Sequence, residues 1–190
     1  MTGGKISGNT TSNNWGGAGI YNCGTTVISG GEISGNTSAM AGGGIWNDRG
    51  TVTLKENVVI ENNQALYGGG VATMSSARTV LEGAVIRNNT AQSLGGGVYI
   101  QGDQNNDNLD TTFEMVSGSI TGNEVTNGYG GGIAGRYFTG TALIKISGGT
   151  IDDNQAGTGR GDAIGLLDCD NDMYPTLQLS GAPEINGEVL

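Results

Sequence analysis

The chain has 190 residues, of which 38 are glycine and 2 are proline, and its formal net charge is −10 with no histidine. With only 8 Lys and Arg residues, it lacks the basic surface that neutralises phosphates, which argues against a nucleic-acid partner. It has no apolar run of about 18 residues, which argues against membrane insertion by this segment, and the lack of histidine removes imidazole-based catalysis and metal ligation.

Two short motifs alternate along the chain about six times. The first is Ile-x-x-Asn, as in Ile33–Asn36, and the second is a glycine run followed by Ile or Val, as in Gly42–Ile45. The asparagines of successive first motifs are 27, 27, 26, 34 and 31 positions apart. A repeat of this length is typical of one turn of a solenoid.

Each repeat is predicted to contain three short strands in a fixed order. The first alternates apolar and polar residues, as in Thr51–Leu54 and Ile144–Ile146, which is the pattern of a half-buried strand. The second is the Ile-x-x-Asn segment, and the third follows the glycine run. The sequence therefore predicts an all-β fold, a single right-handed parallel β-helix of about six to seven coils over residues 1–190. Because repeat material follows Met1 directly, we interpret the chain as an excerpt of a longer protein.

The asparagine of the first motif is predicted to form a ladder. Asparagine tolerates the left-handed conformation of a sharp corner, and identical corners stack these side chains so that their amides bond along the stack. The isoleucines of the motif, and the Ile or Val after each glycine run, are predicted to point inward, with positive φ in the glycine run. The predicted ladder is Asn9, Asn36, Asn63, Asn89, Asn123 and Asn154.

The two cysteines are predicted to be free thiols. Cys23 and Cys169 lie in the first and sixth repeats. Stacking at about 4.8 Å per coil would hold them about 24 Å apart, which is beyond the reach of a disulfide.

Polar insertions follow the third strand in repeats four to six, and two of them have the spaced oxygen ligands of a calcium loop. The motif in the sixth repeat, Asp168-x-Asp170-x-Asp172, is followed by Met173 and Leu179 where a calcium-binding EF-hand loop has glycine and glutamate. Solvated loops with no cofactor are the alternative. The Ca²⁺ candidates are Asp103, Asn105, Asp107, Asp168, Asp170 and Asp172.

A ligand-binding face is predicted on the third strands, where one residue points outward after each inward Ile or Val. Flat exposed aromatic rings suit the apolar faces of sugars, and the insertions add further aromatic residues beside carboxylates. The alternative is that aromatic residues simply favour strands. The candidates are Tyr21, Trp46, Tyr99, Arg136, Tyr137, Phe138 and Tyr174.

Evidence for catalysis is weaker. The neighbouring acids Asp152 and Asp153 occupy the ordinary variable positions of the first motif, and neighbours along a strand face opposite ways. A carbohydrate-cleaving enzyme would instead need a groove with perturbed carboxylates. Its predicted lining is Asp103, Asp107, Arg136, Asp168 and Asp170.

The pairing of Ile6-x-x-Asn9 with Gly19-Ile20-Tyr21-Asn22 resembles the repeats of chlamydial polymorphic outer-membrane proteins. It also resembles the pectate-lyase-like right-handed β-helix repeats of autotransporter adhesins, and the likeness covers about residues 3–188. The resemblance implies an extracellular or bacterial cell-surface location, adhesion, and a glycan or a host or matrix protein as partner. The expected function is a non-catalytic rigid stalk or adhesive surface, and the alternative is a carbohydrate-binding or carbohydrate-cleaving β-helix. Exposed strand edges also predict end-to-end self-association.

Overall fold

The computed structural model describes residues 1–12, 16–103, 109–157, 160–167 and 174–190, and every element in this part of the chain is a strand or a turn. The strands are β1 (Thr2–Ser7), β2 (Thr10–Thr11), β3 (Ile20–Asn22), β4 (Thr25–Ile28), β5 (Gly30–Ser34), β6 (Thr37–Ser38), β7 (Ile45–Asp48), β8 (Thr51–Lys55), β9 (Val58–Glu61), β10 (Gln64–Tyr67), β11 (Val71–Met74), β12 (Arg78–Arg87), β13 (Thr90–Leu94), β14 (Val98–Gln101), β15 (Thr111–Thr121), β16 (Glu124–Val125), β17 (Ile133–Arg136), β18 (Ala142–Ile146), β19 (Thr150–Asp152), β20 (Ile164–Leu167), β21 (Thr176–Leu179) and β22 (Glu184–Ile185).

These strands form three parallel sheets, and each strand inside a sheet pairs with its equivalents one repeat earlier and one repeat later. Sheet A has 11 strands (β1, β4, β5, β8, β9, β12, β15, β18, β19, β21 and β22), sheet B has 5 (β2, β6, β10, β13 and β16) and sheet C has 6 (β3, β7, β11, β14, β17 and β20). The chain is therefore a parallel β-solenoid of about six turns, as the repeat predicted.

The division of each coil differs from the prediction. The first strand and the Ile-x-x-Asn segment belong to one bent sheet, since β12 and β15 run through both segments. The bend falls at glycines with positive φ, such as Gly83 at 97° and Gly118 at 108°, where residues other than glycine are strained. Sheet B was not predicted. It consists of the strands that follow the ladder asparagine, and these strands of two to five residues are too short to show alternation in the sequence.

The predicted asparagine ladder is confirmed. The side-chain amide of Asn36 donates to Asn63 Oδ1 at 2.9 Å and, in the other direction, to the Ile6 carbonyl oxygen at 3.1 Å. Asn63 Oδ1 also accepts the backbone N–H of Asn36 at 3.0 Å. The same side-chain bond recurs along the whole stack, from Asn9 to Asn36, Asn36 to Asn63, Asn63 to Asn89, Asn89 to Asn123 and Asn123 to Asn154, at 2.8 to 3.0 Å.

The reason given for asparagine at this corner is wrong, because the left-handed residue is the one before it. The side-chain hydrogen bonds explain why asparagine occupies the ladder position, and Asn36 forms four of them. The left-handed backbone explains which residues occupy the position before it. The left-handed residues are Gly8 (φ 69°), Gly35 (62°), Asn62 (55°), Asn88 (54°), Gly122 (62°) and Asp153 (53°).

The core lies inside the coil and is lined by the two predicted aliphatic columns. Ile33 and Ile60 are fully buried in the first column, and Ile45 and Val71 in the second. The partly buried residues that pack against this core are Met1, Ile6, Ile20, Leu166, Leu177 and Ile185.

The glycine run serves both turning and close packing. The first glycine has the predicted positive φ, for example 61° at Gly42 and 63° at Gly68. The third glycine lies against the next coil, since a Cβ on Gly70 would be 2.7 Å from the carbonyl oxygen of Gly97. Glycine is therefore required here twice, once for conformation and once for space.

Candidate binding surfaces

The outward column of the third strands is mostly buried. Tyr21 is 43% exposed, whereas Trp46 is 8% exposed and Tyr99 is fully buried. Tyr21 and Trp46 are register partners in sheet C, as predicted, but their rings meet edge to face with centroids 5.2 Å apart. The prediction that Trp46 and Tyr99 present exposed rings is therefore wrong.

The column is covered by the segment that precedes each glycine run. The residue directly before the glycine run stacks from coil to coil as Tyr67, Leu94 and Tyr129. These side chains pack with Trp46 and Tyr99 in a second apolar cluster outside sheet C. The Tyr67 and Tyr99 rings stack with centroids 5.4 Å apart. Sequence reasoning missed this outer layer, although an apolar residue directly before the glycine run is its signal.

Tyr21 belongs to a small polar cluster at the end of sheet C. Its hydroxyl donates to Asp48 Oδ2 at 2.8 Å, and Arg49 forms an ion pair with the same oxygen at 2.9 Å. Hydrogen bonding with Cys23, partial burial and the Asp48 carboxylate together raise the pKa of Tyr21 above its ordinary value. Cys23 is an exposed free thiol, as predicted, and Cys169 lies outside the described residues.

The aromatic insertion of the fifth repeat folds onto itself and onto Asp103. The Arg136 guanidinium lies 5.5 Å from the centroid of the Phe138 ring, and the Tyr137 hydroxyl donates to the Thr139 carbonyl oxygen at 3.1 Å. The N–H of Thr139 donates to the backbone oxygen of Asp103 at 3.0 Å. Arg136 and Tyr137 are half-buried, and Phe138 remains 38% exposed.

The structure places only one of the six calcium candidates. Asp103 is buried beneath the turn just described, and within the described ranges no three acidic or thiol side chains converge as a metal site. The other candidates, Asn105, Asp107, Asp168, Asp170 and Asp172, lie outside the described residues.

An apolar hollow lies where the outer layer meets the last coils. It has a volume of about 600 Å³ and is lined by Tyr129, Leu166, Leu167, Tyr174 and Leu190. Tyr174 is 55% exposed, and the Arg160 guanidinium lies 5.2 Å from the centroid of the Tyr129 ring. Of the predicted ligand-binding residues, this hollow contains Tyr174 alone, and Tyr129 and Arg160 are additions from the structure.

Ion pairs between neighbouring coils cover the outer face of sheet A. They flank two polar hollows of about 340 and 500 Å³ that share Asn57. The pKa of the Glu32 carboxyl is lowered, mainly by the hydrogen bond from Lys5 and to a smaller extent by the hydrogen bond from Ser34. The inter-coil pairs are Lys5–Glu32, Lys55–Glu82, Arg78–Glu114 and Arg87–Glu61.

The acidic pair of the sixth repeat, Asp152 and Asp153, lies at a corner of the coil. Asp153 is the exposed left-handed residue, and its N–H donates to Asp152 Oδ1 at 2.9 Å. Of the predicted enzyme groove, the structure describes Asp103 and Arg136, and Asp103 is buried. No helix in the described ranges is long and apolar enough to cross a membrane.

Comparison with known proteins supports the fold. A family model described as a right-handed beta helix region matches residues 2–114, which is more than half of the chain. Among curated proteins and solved structures, none matches the chain significantly. The matched range includes the ladder residues Asn9, Asn36, Asn63 and Asn89 with the glycine runs that follow them, and the chain thus belongs to the right-handed β-helix family.

Proposed function

We propose that this β-helix is a rigid, non-catalytic segment of an extracellular bacterial surface protein, which serves as a stalk or as an adhesive surface. The observation that supports this most is the unbroken asparagine ladder from Asn9 to Asn154. It fixes each coil on the next through buried hydrogen bonds. A stack held in this way keeps its ends at a constant separation, which is the property that a stalk needs.

The surface of sheet A also supports a structural role. Its carboxylates Glu32, Glu61 and Glu114 are each held by a Lys or Arg of a neighbouring coil. Such pairs contribute little to stability individually, but they fix side chains across the coil boundary. A general acid or base has to exchange protons with a substrate, so carboxylates held by cations favour a structural surface.

The test is a panel of polysaccharides and matrix proteins offered to the purified chain. Homogalacturonan, xylan and chitin are incubated with the protein and analysed for shortened products by mass spectrometry. Collagen, laminin and fibronectin are immobilised to measure adhesion. We expect no products. A shortened polysaccharide that forms with the protein and does not form in the control without protein would overturn the non-catalytic assignment.

The second candidate function is carbohydrate binding at the hollow between Tyr129 and Tyr174. An apolar hollow of about 600 Å³ with two tyrosine rings and a nearby Arg160 has the mixed lining typical of small-ligand sites. Binding of galacturonan oligosaccharides by the intact chain would favour this function if Tyr174→Ala weakens it and Tyr21→Ala does not.

Calcium is a separate arm of the same experiment. Each binding assay is repeated with Ca²⁺ and with a chelator. Binding that is lost only with chelator would move the site from the tyrosine hollow to the acidic insertions that contain Asp103 and Asp168. Binding that persists in chelator leaves the hollow as the site.

A further inference from the structure

The outer apolar layer over sheet C changes its composition at the sixth coil. In the two coils before it, the residue directly before the glycine run is Leu94 and then Tyr129. Backbone hydrogen bonds identify the next residue of this column, since the Gly95 N–H donates to the Tyr129 oxygen at 3.1 Å and the Gly130 N–H to the Arg160 oxygen at 3.0 Å. Arg160 therefore stands in the sixth coil where an apolar residue stands in the earlier ones.

The strand beneath this position offers no side chain. The outward column that carries Trp46 and Tyr99 in earlier coils is continued by Gly165 in the sixth. Arg160 does not cover that glycine, because its guanidinium lies over the Tyr129 ring of the preceding coil, 5.2 Å from the ring centroid. Glycine below and arginine above thus leave the layer open beside Tyr129, where the apolar hollow lies.

The lining of the hollow suits an apolar ligand body. Leu166 and Leu167 line it, and Leu167 also packs against the outer apolar cluster. Tyr129 and Tyr174 add ring surface and one hydroxyl each. The volume of about 600 Å³ is in the range of small-ligand pockets. The many hydroxyls of an uncharged sugar would find few partners here, and each polar group left unsatisfied weakens binding.

The Arg160 guanidinium is the charged group beside this lining. It forms no ion pair with any residue that the structure describes. The nearest acid in the sequence, Asp162, instead accepts the N–H of Ala156 at 2.7 Å. Gly157 leaves room for the arginine stem, since a Cβ there would lie 3.0 Å from Arg160 Cδ. The guanidinium can thus donate to a carboxylate, which arginine binds through two parallel hydrogen bonds.

We propose that the hollow beside Tyr129 and Tyr174 binds a hydrophobic monocarboxylate, such as a medium-chain fatty acid. The alkyl chain lies against Leu166 and Leu167, and the carboxylate accepts hydrogen bonds from Arg160. The proposal rests on the site of the second candidate function, for which it names the ligand class, and it does not depend on the role as a stalk.

Calorimetric titration of the full chain with octanoate and octylammonium is the first test. The two ligands share one alkyl chain and differ in the charge of the head group. We expect octanoate to bind at least about tenfold more tightly, because only a carboxylate gains charge-assisted hydrogen bonds from Arg160. The net charge of −10 on the whole chain favours the opposite order. Equal affinities, or tighter binding of octylammonium, would overturn the proposal.

Arg160→Gln tests the contact with the carboxylate. Because the variant loses the positive charge, octanoate affinity should fall at least about tenfold, while affinity for the uncharged 1-octanol should change less than about twofold. Arg78→Gln is the matched control, since it removes an arginine on the outer face of sheet A, and it should change neither affinity. Octanoate binding that is unaffected by Arg160→Gln, or weakened equally by both variants, would contradict the contact.

Tyr174→Ala tests the apolar part of the hollow. Tyr174 is 55% exposed, so its ring can be removed without opening the core. Affinity for octanoate and for 1-octanol should fall together, by about threefold or more, because both alkyl chains lose the same apolar surface. Val116→Ala, which removes an exposed apolar residue of sheet A, should have no effect. Unchanged binding in Tyr174→Ala would place the ligand elsewhere and refute the proposal. None of these ligands is a sugar or a matrix protein, so that failure would leave the adhesion and polysaccharide tests undecided.

Discussion

At the scale of single residues, the ladder asparagine is defined by satisfied hydrogen bonds. Its position was predictable because the Ile-x-x-Asn spacing survives in every repeat. Its conformation was not predictable, because glycine and asparagine both adopt the left-handed backbone readily. In Gly35-Asn36 and in Asn62-Asn63, either of the two neighbouring residues could therefore be the left-handed one. The structure separates the two roles, since Gly35 and Asn62 have positive φ and Asn36 and Asn63 donate along the stack.

Replacing a central ladder residue should cost far more than replacing the first one. In Asn63→Ala, the N–H and the amide of Asn36 lose their acceptor, the Ile33 oxygen loses a donor and Asn89 loses a partner. Each buried group left unsatisfied costs about 1–3 kcal/mol, so the unfolding free energy should fall by at least about 3 kcal/mol. The control Asn9→Ala removes one exposed end and should cost about 1 kcal/mol. Urea denaturation measures both, and equal losses would argue against the ladder.

The environment of Tyr21 predicts a loss of stability in alkali. Because its pKa is raised in the folded state, the neutral phenol is favoured there, and this contribution is fully present below the unfolded pKa of about 10. It is lost as pH rises from there through the folded pKa. Tyr21→Phe should therefore be less sensitive to pH above 10 than wild type. Unfolding free energies measured between pH 8 and 11 provide the comparison, with the exposed Tyr174→Phe as control. An unchanged pH slope in Tyr21→Phe would refute the assignment.

At the scale of elements, the glycine run shows how a turn and a packing contact share one motif. The first glycine was predictable from its turn, but the third is required by a neighbour 27 residues away, and single-repeat reasoning gives no signal for such contacts. Sheet B was missed for a related reason. Strands such as Thr37–Ser38 are too short for alternation to be seen and are defined only by pairing with the next coil.

A methyl group on the third glycine should therefore be poorly tolerated. In Gly70→Ala the new Cβ would lie 2.7 Å from the Gly97 oxygen and 2.9 Å from Ile86 Cγ2. Separating the coils to relieve this contact should lower the unfolding free energy by about 1–3 kcal/mol. Gly24→Ala is the matched control, since nothing lies within 4 Å of its Cβ position. If thermal unfolding finds the two variants equally stable, close coil contact is not what selects glycine.

At the scale of the whole molecule, the outer apolar layer changes the functional interpretation. Alternation in a strand predicts which residues face away from the core, but not whether another segment covers them. Trp46 and Tyr99 face outward as predicted and are nevertheless buried, because Tyr67 and Leu94 pack over them. Of the three aromatic residues predicted on this face, only Tyr21 is exposed. The hollow beside Tyr129 and Tyr174 is therefore the stronger candidate for a ligand site.

The proposed role as a rigid segment depends on the coils moving together. Cys23 in the first coil is an exposed thiol, and Val116 in the fifth is an exposed strand residue. In a Cys169→Ser background, Val116→Cys would provide a second labelling site. In sheet A, β15 lies three strands from β4, which begins two residues after Cys23, so stacking at about 4.8 Å per coil separates the two sites by about 14 Å along the axis. Spin labels at Cys23 and residue 116 allow the distance between them to be measured by pulsed dipolar spectroscopy.

The distribution of that distance tests the account most directly. A rod held by a continuous ladder predicts one narrow distribution, which should broaden when Asn63→Ala is added. If wild-type protein gives a broad or bimodal distribution under native conditions, the coils move independently, and the chain does not act as a rigid segment.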